Sequence, residues 1–520
     1  MDDQRGQEVM DRAEARVLLL GLDGATPGLL SSFLDHMPFF SELAREGVLG
    51  ELRVFYPTLS PMEWSSLFTG KNPGKTGIFY LYSLAGGDLR TGAPLANLAH
   101  VGEPAIWDLL NLHGLRTGVV NVPCTYPPRP LDGFLISGFL APTARGKRFY
   151  YPPEIGPILR EEGYEVDLRL DKVGIRPYTL PGQIDVERVL REQKRITAAR
   201  VRTAIRLSRA YEADFLSLII KGTDNVQHLF WHNREALLDY YAFVDEQVAR
   251  LYDAYEPTHL LAVSDHGFHA RERYYFHINT WLLKRGYLRL RNHAKLLAQA
   301  MAYNIAFLSF RLLRPTLAIL REEWIYEAYA MPTWIDTRRS LAYALECGIF
   351  LSEKARNACL AHKLAKELLA LRGPGGKRVF RAVMTREEFF SGPYLPKLPD
   401  LILVPEPEFA INPHLCPALF TRYVHKPYLT GSHKADNKGI FLAHGPGMRA
   451  RQQAEAHITD IVPTILYLYG LPLPDDLDGK VPIEIFDEAF RRAHEVRHVP
   501  GWKLKVRLKA RKLKRKLKGQ

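Results

Sequence analysis

Acids, imidazoles and one serine hydroxyl stand at five points of this 520-residue chain, four of them where a hydrophobic run gives out: VLLLGLDG, YPTLSPMEW, KGTDNVQH, AVSDHGF and the short GSH at 431–433. Asp23, Asp224, His228, Asp265, His266 and His433 are six residues able to supply three ligands to each of two divalent cations, and Ser60 adds a hydroxyl able to bridge them. That set suits phosphoryl transfer. A phosphate ester resists attack because its oxygens are negative, and two metals about 3.5–4 Å apart neutralise that charge while gripping the attacking and leaving oxygens. Mixed nitrogen and oxygen ligands suit zinc, with manganese and iron as rivals. A serine hydroxyl is a poor nucleophile at neutral pH, but a cation favours its alkoxide and makes a covalent phospho-enzyme feasible.

Each motif also has a plainer reading. Asp23 follows Val17-Leu18-Leu19-Leu20-Gly21-Leu22 and precedes Gly24, the pattern of a strand ending in a turn. Ser60-Pro61-Met62-Glu63 reads as a helix start, with Ser60 as N-cap, Pro61 at the first helical position and Glu63 closing a capping box. The two readings of Ser60 are compatible, because a helix N-terminus also favours an incoming phosphate. Asp224 and His228 are four apart and share one face of a helical turn. Asp265-His266 follows the apolar run Leu260-Leu261-Ala262-Val263, where a charged side chain is costly unless paired or metal-bound. Gly267 permits a turn that brings both onto one cation. His433 by itself is a loop histidine.

Taken together and in this order, the motifs resemble the alkaline phosphatase superfamily, and most closely its type I phosphodiesterase/nucleotide pyrophosphatase-like branch. The resemblance covers roughly residues 15–285 and 395–490, through GLDG, P-T-x-S-P, T-G-x-x-P-G-K-x-G-I, T-D-x-x-x-H, S-D-H-G and G-S-H before IFLAHGPG. It implies that Ser60 is the nucleophile, that Asp23, Asp265 and His266 surround one metal, and that Asp224, His228 and His433 surround the other. It implies two divalent ions, zinc before manganese or iron. Relatives in this branch carry an Asn shortly after the nucleophile to hold a phosphate oxygen; here that neighbourhood reads Met62-Glu63-Trp64, which leaves Lys221 as a candidate for substrate binding. The histidine of the relatives' P-G-K-H-G-I is replaced by Thr76. A sulfatase would show C/S-x-P-x-R at the nucleophile, and Ser60-Pro61-Met62-Glu63-Trp64 does not.

The elements that must position these groups follow from composition and pattern. With 47% hydrophobic and 24% charged residues the chain is ordinary globular material with enough apolar side chains for a large core or two. Strand-like runs VLLLGL, GVVNV, FLISGF, FLSLII, LLAVS, LILVP and GIFLA alternate with helical stretches, which predicts an α/β fold. The resemblance makes it an alkaline phosphatase-like layered fold, with a central, mostly parallel sheet flanked by helices and an inserted cap. The expected organisation is a catalytic core over 15–291, with a Pro- and Tyr-rich insert at about 126–195; a helical cap or accessory insertion over 292–394, carrying Arg311, Trp324 and Trp334; a second part of the core over 395–495; and a basic tail over 496–520. Cys124, Cys347, Cys359 and Cys416 have no short paired spacing and suggest neither zinc knuckle nor disulfide framework. The first 24 residues lack a signal-peptide pattern. No window reaches ~18 uncharged apolar residues, and Leu296 to Phe310, the nearest approach, reads as an amphipathic or buried helix.

Trp502 to Gln520 holds ten Lys or Arg and no acid, so of the formal net charge of +13 the remainder of the chain carries 13 less 10, or +3. Leu504, Leu508, Leu513 and Leu517 form a loose stripe on a basic helix. A solvated tail is the plain reading; an anionic membrane surface comes next as partner, and nucleic acid after it. The function expected from these observations is a metal-dependent phosphoric ester hydrolase acting on a small-molecule phosphate ester, cytoplasmic and peripheral to the inner face of the membrane. A phosphomutase of the same superfamily is the alternative, and a non-catalytic membrane- or RNA-associated protein on a relic phosphatase fold is a third reading.

Overall fold

The computed structural model describes residues 15–90, 93–142, 148–176, 179–291, 335–345, 348–356, 358–423 and 426–517. Two compact units are present: Met1–Ala85 with Leu95–Ala270 and Lys426–Gln520, and Gly86–Pro94 with Arg271–His425.

The first unit is built on a nine-stranded sheet whose strands are β1 (Val17–Leu22), β2 (Val48–Arg53), β3 (Thr117–Val122), β4 (Gly133–Ser137), β5 (Tyr150–Tyr151), β6 (Phe215–Ile220), β7 (His259–Val263), β8 (Lys438–His444) and β9 (Gln452–His457). Their order is β9-β2-β8-β7-β1-β6-β3-β4-β5. The five central strands β7, β1, β6, β3 and β4 run parallel, while β8 and β5 are antiparallel to their inner neighbours. Every residue of β1, β3, β6 and β7 is buried, which is why these strands read as unbroken apolar runs rather than alternating ones. This is the mostly parallel sheet the sequence predicts.

Helices cover both faces. Five further elements matter here: α1 (Ser60–Thr69), α2 (Val186–Ala210), α3 (Gly222–Phe230), α4 (Arg234–Tyr255) and α5 (Gly501–Leu517). Asp185 caps α2 through Arg188 N (3.0 Å) and Asn233 caps α4 through Ala236 N (3.1 Å). Both helices share one core cluster with Leu18, Leu20 and Leu22 of β1, each worth about 1.5–3 kcal/mol of burial. On the opposite face Gly21 lies under Trp64 of α1: a Cβ there would stand 2.4 Å from the indole and from Ile219.

Several expectations change. The stretch 126–195 is not an insert apart from the core, because β4 pairs in register with β3, Val119 opposite Leu135, β5 extends the same sheet, and α2 begins at Val186. The apolar run Leu401–Pro405, expected in the core's second part, belongs to the second unit. There it joins Ala342–Leu345, Gly348–Leu351 and Phe380–Thr385 in a four-stranded antiparallel sheet. A short apolar run does not declare which sheet it will join. That sheet also makes the described part of 292–394 mixed rather than helical, its main helix being Ala358–Leu369. The expectations for 296–310, Arg311, Trp324, Trp334 and Cys347 lie outside the described residues. Among the described residues no helix is long and apolar enough to cross a membrane.

The tail is a helix, α5, and its first half is docked. Leu504 and Leu508 are buried and α5 packs on the helix Ile106–Leu112. Lys505 pairs with Glu103 (2.7 Å) and Asp476 (3.0 Å), the same carboxylates that hold the buried Lys71 of the T-G-K-N-P-G-K motif at 2.6 Å each. Arg511 pairs with Asp132. The free, solvated tail is thereby replaced by an anchored one, and its leucines do not act as one stripe, since Leu513 is 59% exposed.

One hydroxyl ties three segments of the sheet's carboxyl edge together. Ser264 Oγ donates to Ala25 O (2.6 Å) and accepts from Ile440 N (2.8 Å), linking the ends of β7 and β1 to β8. Ser264→Ala leaves Ile440 N buried and unpaired, so chemical denaturation should register a loss of about 1–3 kcal/mol; an unchanged midpoint would mean the knot is dispensable.

Candidate metal centre

The register of the parallel strands brings the motifs together. Leu22 is opposite Ile220 and Gly21 is opposite Val263, so the residues that follow β6, β1 and β7 emerge side by side at the carboxyl edge of the sheet. Asp23 comes directly after β1, Lys221 directly after β6, and Asp265 and His266 just after β7. Asp224 and His228 lie on α3 one turn apart, with Asp224 Oδ1 3.3 Å from His228 Nε2, as their spacing predicts. His433 arrives on the segment Gly431–Ser432, which pairs antiparallel with His269–Ala270. A side chain at 431 is excluded, because a Cβ would lie 2.4 Å from Gln227 O.

The seven residues named from the sequence as ligands or nucleophile meet here, and Lys221 lies against them. Asp224, His228 and His433 offer ligand atoms within 4.8 Å of one another, and so do Asp23, Asp224 and His266. Asp224 therefore reaches both groups. Asp265 Oδ2 stands 3.3 Å from His266 Nε2, beside the second group. Ser60 Oγ is 3.2 Å from His266 Nε2 and 3.4 Å from Asp23 Oδ1. The rings of His266 and His433 stack at 3.9 Å.

The serine's local role differs from the expectation. Ser60 is the first residue of α1 rather than its N-cap; Leu59 occupies that position without a side-chain cap. Glu63 closes no capping box: its carboxylate accepts from Phe55 N at 3.3 Å. The helix start offers few free donors to a phosphate, since Pro61 has no N–H and those of Met62 and Glu63 donate to Leu59 O at 3.0 and 3.1 Å. Ser60 faces Asp23 and His266 instead.

Supporting groups fix the tautomers and carboxylate orientations. His228 Nδ1 lies 3.0 Å from Gly431 O and His266 Nδ1 lies 3.1 Å from Gly267 O. A carbonyl only accepts, so both Nδ1 atoms carry a proton, and Nε2 is the nitrogen each ring has left to offer a cation. Trp64 Nε1 donates to Asp23 Oδ2 (3.1 Å), and Gly24 N donates to Asp265 Oδ1 (3.1 Å). Thr58 Oγ1 donates to His433 O (2.6 Å) and Thr223 Oγ1 to Asp23 O (2.6 Å). Asp224 Oδ1, Asp265 Oδ2 and His433 Nδ1 are buried and make no hydrogen bond, which leaves them able to take a ligand. Trp64 is the supporting residue that its spacing reveals, for it stands one helical turn from Ser60.

Burial governs the protonation states. It pushes the Asp23 carboxyl up to about 7, against the pull of Lys221, and Asp265 well above the usual carboxylate range, with the charge of Asp23 adding to the effect. Burial would raise Asp224 too, but Lys221 outweighs it, helped by His228 and His266, and Asp224 is held low. Burial drives His266 down to about 3 and His433 well below its ordinary value. Lys221 Nζ lies against Asp224 and 3.3 Å from Asp23, and these charges keep it protonated despite its burial.

A largely parallel sheet with carboxylates, imidazoles and a serine gathered at the carboxyl ends of its strands defines an alkaline phosphatase-like hydrolase fold. The alkaline phosphatase PafA, in a multiply substituted form, matches with a TM-score of 0.53 and 14% identity over 91% of this chain and 99% of that one. Phosphonoacetate hydrolase from Sinorhizobium meliloti, in complex with phosphonoformate, matches with a TM-score of 0.53 and 14% identity over 88% and 95%. Murine ectonucleotide pyrophosphatase/phosphodiesterase 5, in complex with AMP, gives 0.51 and 14% over 91% and 100%. The family model for type I phosphodiesterase / nucleotide pyrophosphatase matches residues 17–436, and the chain belongs to that family of phosphoric ester hydrolases. Human arylsulfatase K is 32% identical over 78 residues, so the chain spans 15% of that relative's length.

Two measurements probe the supporting groups. Trp64→Phe keeps the ring and removes the N–H on Asp23; metal affinity should fall about 10–100-fold, the usual effect of losing such a support, and equal affinity would show that the bond is idle. The pH dependence has a defined sign. In the metal-free protein Asp23 holds its proton below about 7, a bound cation must displace it, and His266 and His433 are already neutral. Calorimetry should therefore detect proton release on metal binding near pH 6, with affinity rising toward pH 8. Uptake independent of pH across that range would contradict it.

Proposed function

We propose that this chain hydrolyses a small-molecule phosphate ester at two divalent cations through a phosphoserine at Ser60. One cation is assigned to Asp23, Asp265 and His266, the other to Asp224, His228 and His433, with Asp224 between them. What carries this reading is the convergence of buried ligand atoms beside a single hydroxyl: Asp224 Oδ1 and Asp265 Oδ2 accept no hydrogen bond and lie 3.3 Å from His228 Nε2 and His266 Nε2, respectively, and Ser60 Oγ sits 3.2 Å from His266 Nε2. Nitrogen with carboxylate oxygen fits zinc, and manganese or iron next. When bound, such cations lower the pKa of the hydroxyl and neutralise phosphate charge.

The chain's own residues supply the rest. Asp23 and His266 orient Ser60 Oγ for attack on phosphorus. Lys221, held charged by Asp23 and Asp224, places a buried ammonium against the same cluster and is assigned to a phosphate oxygen, taking the place of the Asn that relatives carry after the nucleophile. Glu63, three residues after Ser60, cannot take that role while it is buried against Phe55 N. The phosphonoformate and AMP bound by two proteins of this fold are both phosphorus oxyanions, which accords with an ester of phosphorus as substrate here.

Ser60→Ala should abolish turnover of a chromogenic phosphate ester and leave metal content and stability nearly intact, since the hydroxyl caps no helix. Asp265→Ala and His228→Ala should each release about one metal equivalent. Mass spectrometry of rapidly quenched wild-type enzyme should find phosphate on Ser60. Retention of rate by Ser60→Ala would transfer the attack to hydroxide, and return of phosphate to a second position of the substrate instead of to water would make the enzyme a mutase.

A further inference from the structure

The helix α5 presents two faces, and only one is spent on the fold. At about 100° per residue, Val506 and Leu513 stand about 40° and 20° from Trp502, whereas Leu504 and Leu508 stand about 200° and 240° away. The burial pattern obeys that division. Leu504 and Leu508 are 4% and 7% exposed against the core, while Trp502, Val506 and Leu513 are 64%, 55% and 59% exposed. These three are nearly half of the large hydrophobic residues that the described residues leave exposed, the others being Leu95, Leu341, Leu369 and Val496, and they line up on one helix face.

Cations border that line on both sides. Lys509 lies about 20° to one side of Trp502, and Lys503, Lys514 and Arg507 lie about 100–140° to the other; all four are exposed. The Lys503 ammonium is 5.8 Å from the Trp502 ring, so indole and charge stand at one level. No acid occurs between Trp502 and Gln520.

We propose that this outward face of α5 seats the protein on an anionic bilayer surface, with Trp502, Val506 and Leu513 entering the headgroup and acyl boundary and the flanking lysines meeting lipid phosphates. An amphipathic helix with aromatic and aliphatic residues on one stripe and Lys or Arg at its edges is suited to the interface plane, about 5–10 Å deep. Tryptophan prefers that level. A nucleic acid would use the cations but gain little from a Val506–Leu513 stripe between them, which decides for lipid. The docked inner face makes the geometry specific: Leu504, Leu508 and Lys505 fix the rotation of the helix, so the apolar line points away from the core.

The test uses the full-length protein and vesicles containing about 30% phosphatidylglycerol in phosphatidylcholine. Wild-type protein should sediment with them and not with phosphatidylcholine alone. Replacing the outward apolar line, Trp502→Ser with Val506→Ser and Leu513→Ser, should weaken binding at least tenfold. Lys503→Gln with Lys509→Gln and Lys514→Gln should weaken it about a hundredfold at low salt, at roughly fivefold per cation, and raised salt should reproduce much of that loss. Melting temperature and ester hydrolysis in solution should be those of wild type in both, since neither set touches the core or the cluster at the sheet edge. Brominated acyl chains should quench tryptophan emission in the wild type and not in Trp502→Phe, a variant that keeps an aromatic ring in place. Equal sedimentation of the apolar triple variant and wild type, quenching that survives in Trp502→Phe, or displacement from vesicles by RNA at equal phosphate concentration would overturn the proposal.

Discussion

Everything at the carboxyl edge of the sheet answers to one electrostatic difficulty: three carboxylates, Asp23, Asp224 and Asp265, are withdrawn from water within one cluster. Isolated buried charges of one sign are not tolerated at that density. The protein without metal relieves the strain in two ways. Lys221 sits between Asp23 and Asp224 and settles the ionisation of Asp224; Asp23 and Asp265 move in the opposite direction, toward retaining their protons. One ammonium cannot offset three carboxylates. The residual demand for positive charge is the physical reason the site is suited to cations, and the neutral imidazoles of His266 and His433 supply lone pairs without adding charge of their own.

Holding such a cluster in place requires rigidity that the ligands cannot provide for themselves. Each is tied to backbone or to a buried polar group: His228 to Gly431 O, His266 to Gly267 O, Asp265 to Gly24 N, and Asp23 to the Trp64 indole. The supports of His228, Asp265 and Asp23 come from distant segments, Gly431, Gly24 and α1, so these three ligands are set by packing between elements, while His266 is held by the carbonyl of its own loop. Trp64 carries this furthest, for it grips Asp23 with its nitrogen while its ring fills the space left by the absent side chain of Gly21. The same α1 begins with Ser60, and the helix that delivers the hydroxyl therefore also orients the carboxylate beside it.

Legibility from sequence follows the same physics. Asp23, Asp265 and His266 are readable because an acid or imidazole that ends an apolar run is expensive without a partner, and Asp224 with His228 because their spacing is helical. His433 is mute alone. Its place depends on the pairing of Ser432 with His269, a contact between residues over 160 positions apart that no local pattern encodes. Ser60 misleads for a different reason: serine is both a favoured N-cap and a nucleophile, and the competition was settled by His266 and Asp23, not by the helix. Leu401–Pro405 shows the limit of apolar runs, which announce a buried strand but not the sheet that buries it. The supporting Thr58, Thr223 and Ser264 are among the commonest polar residues in any chain, and only their partners distinguish them.

The tail illustrates how a sound periodicity can still be assigned to the wrong face. Leu504, Leu508, Leu513 and Leu517 are separated by 4, 5 and 4 residues, and the central step of five advances the helix by about 500°, which carries Leu513 to the side opposite Leu504. Two stripes result where one was expected. Burial follows this arithmetic, with Leu504 inside and Leu513 outside. The consequence is energetic as well as geometric. A basic amphipathic segment that is disordered in solution must lose backbone freedom when it meets a surface, at about 1–2 kcal/mol per residue ordered, whereas α5 is already helical and already oriented by Leu504, Leu508 and the Lys505 pairs. Its ordering is settled in folding, and the free energy of whatever the outer face touches is not drawn down by forming the helix.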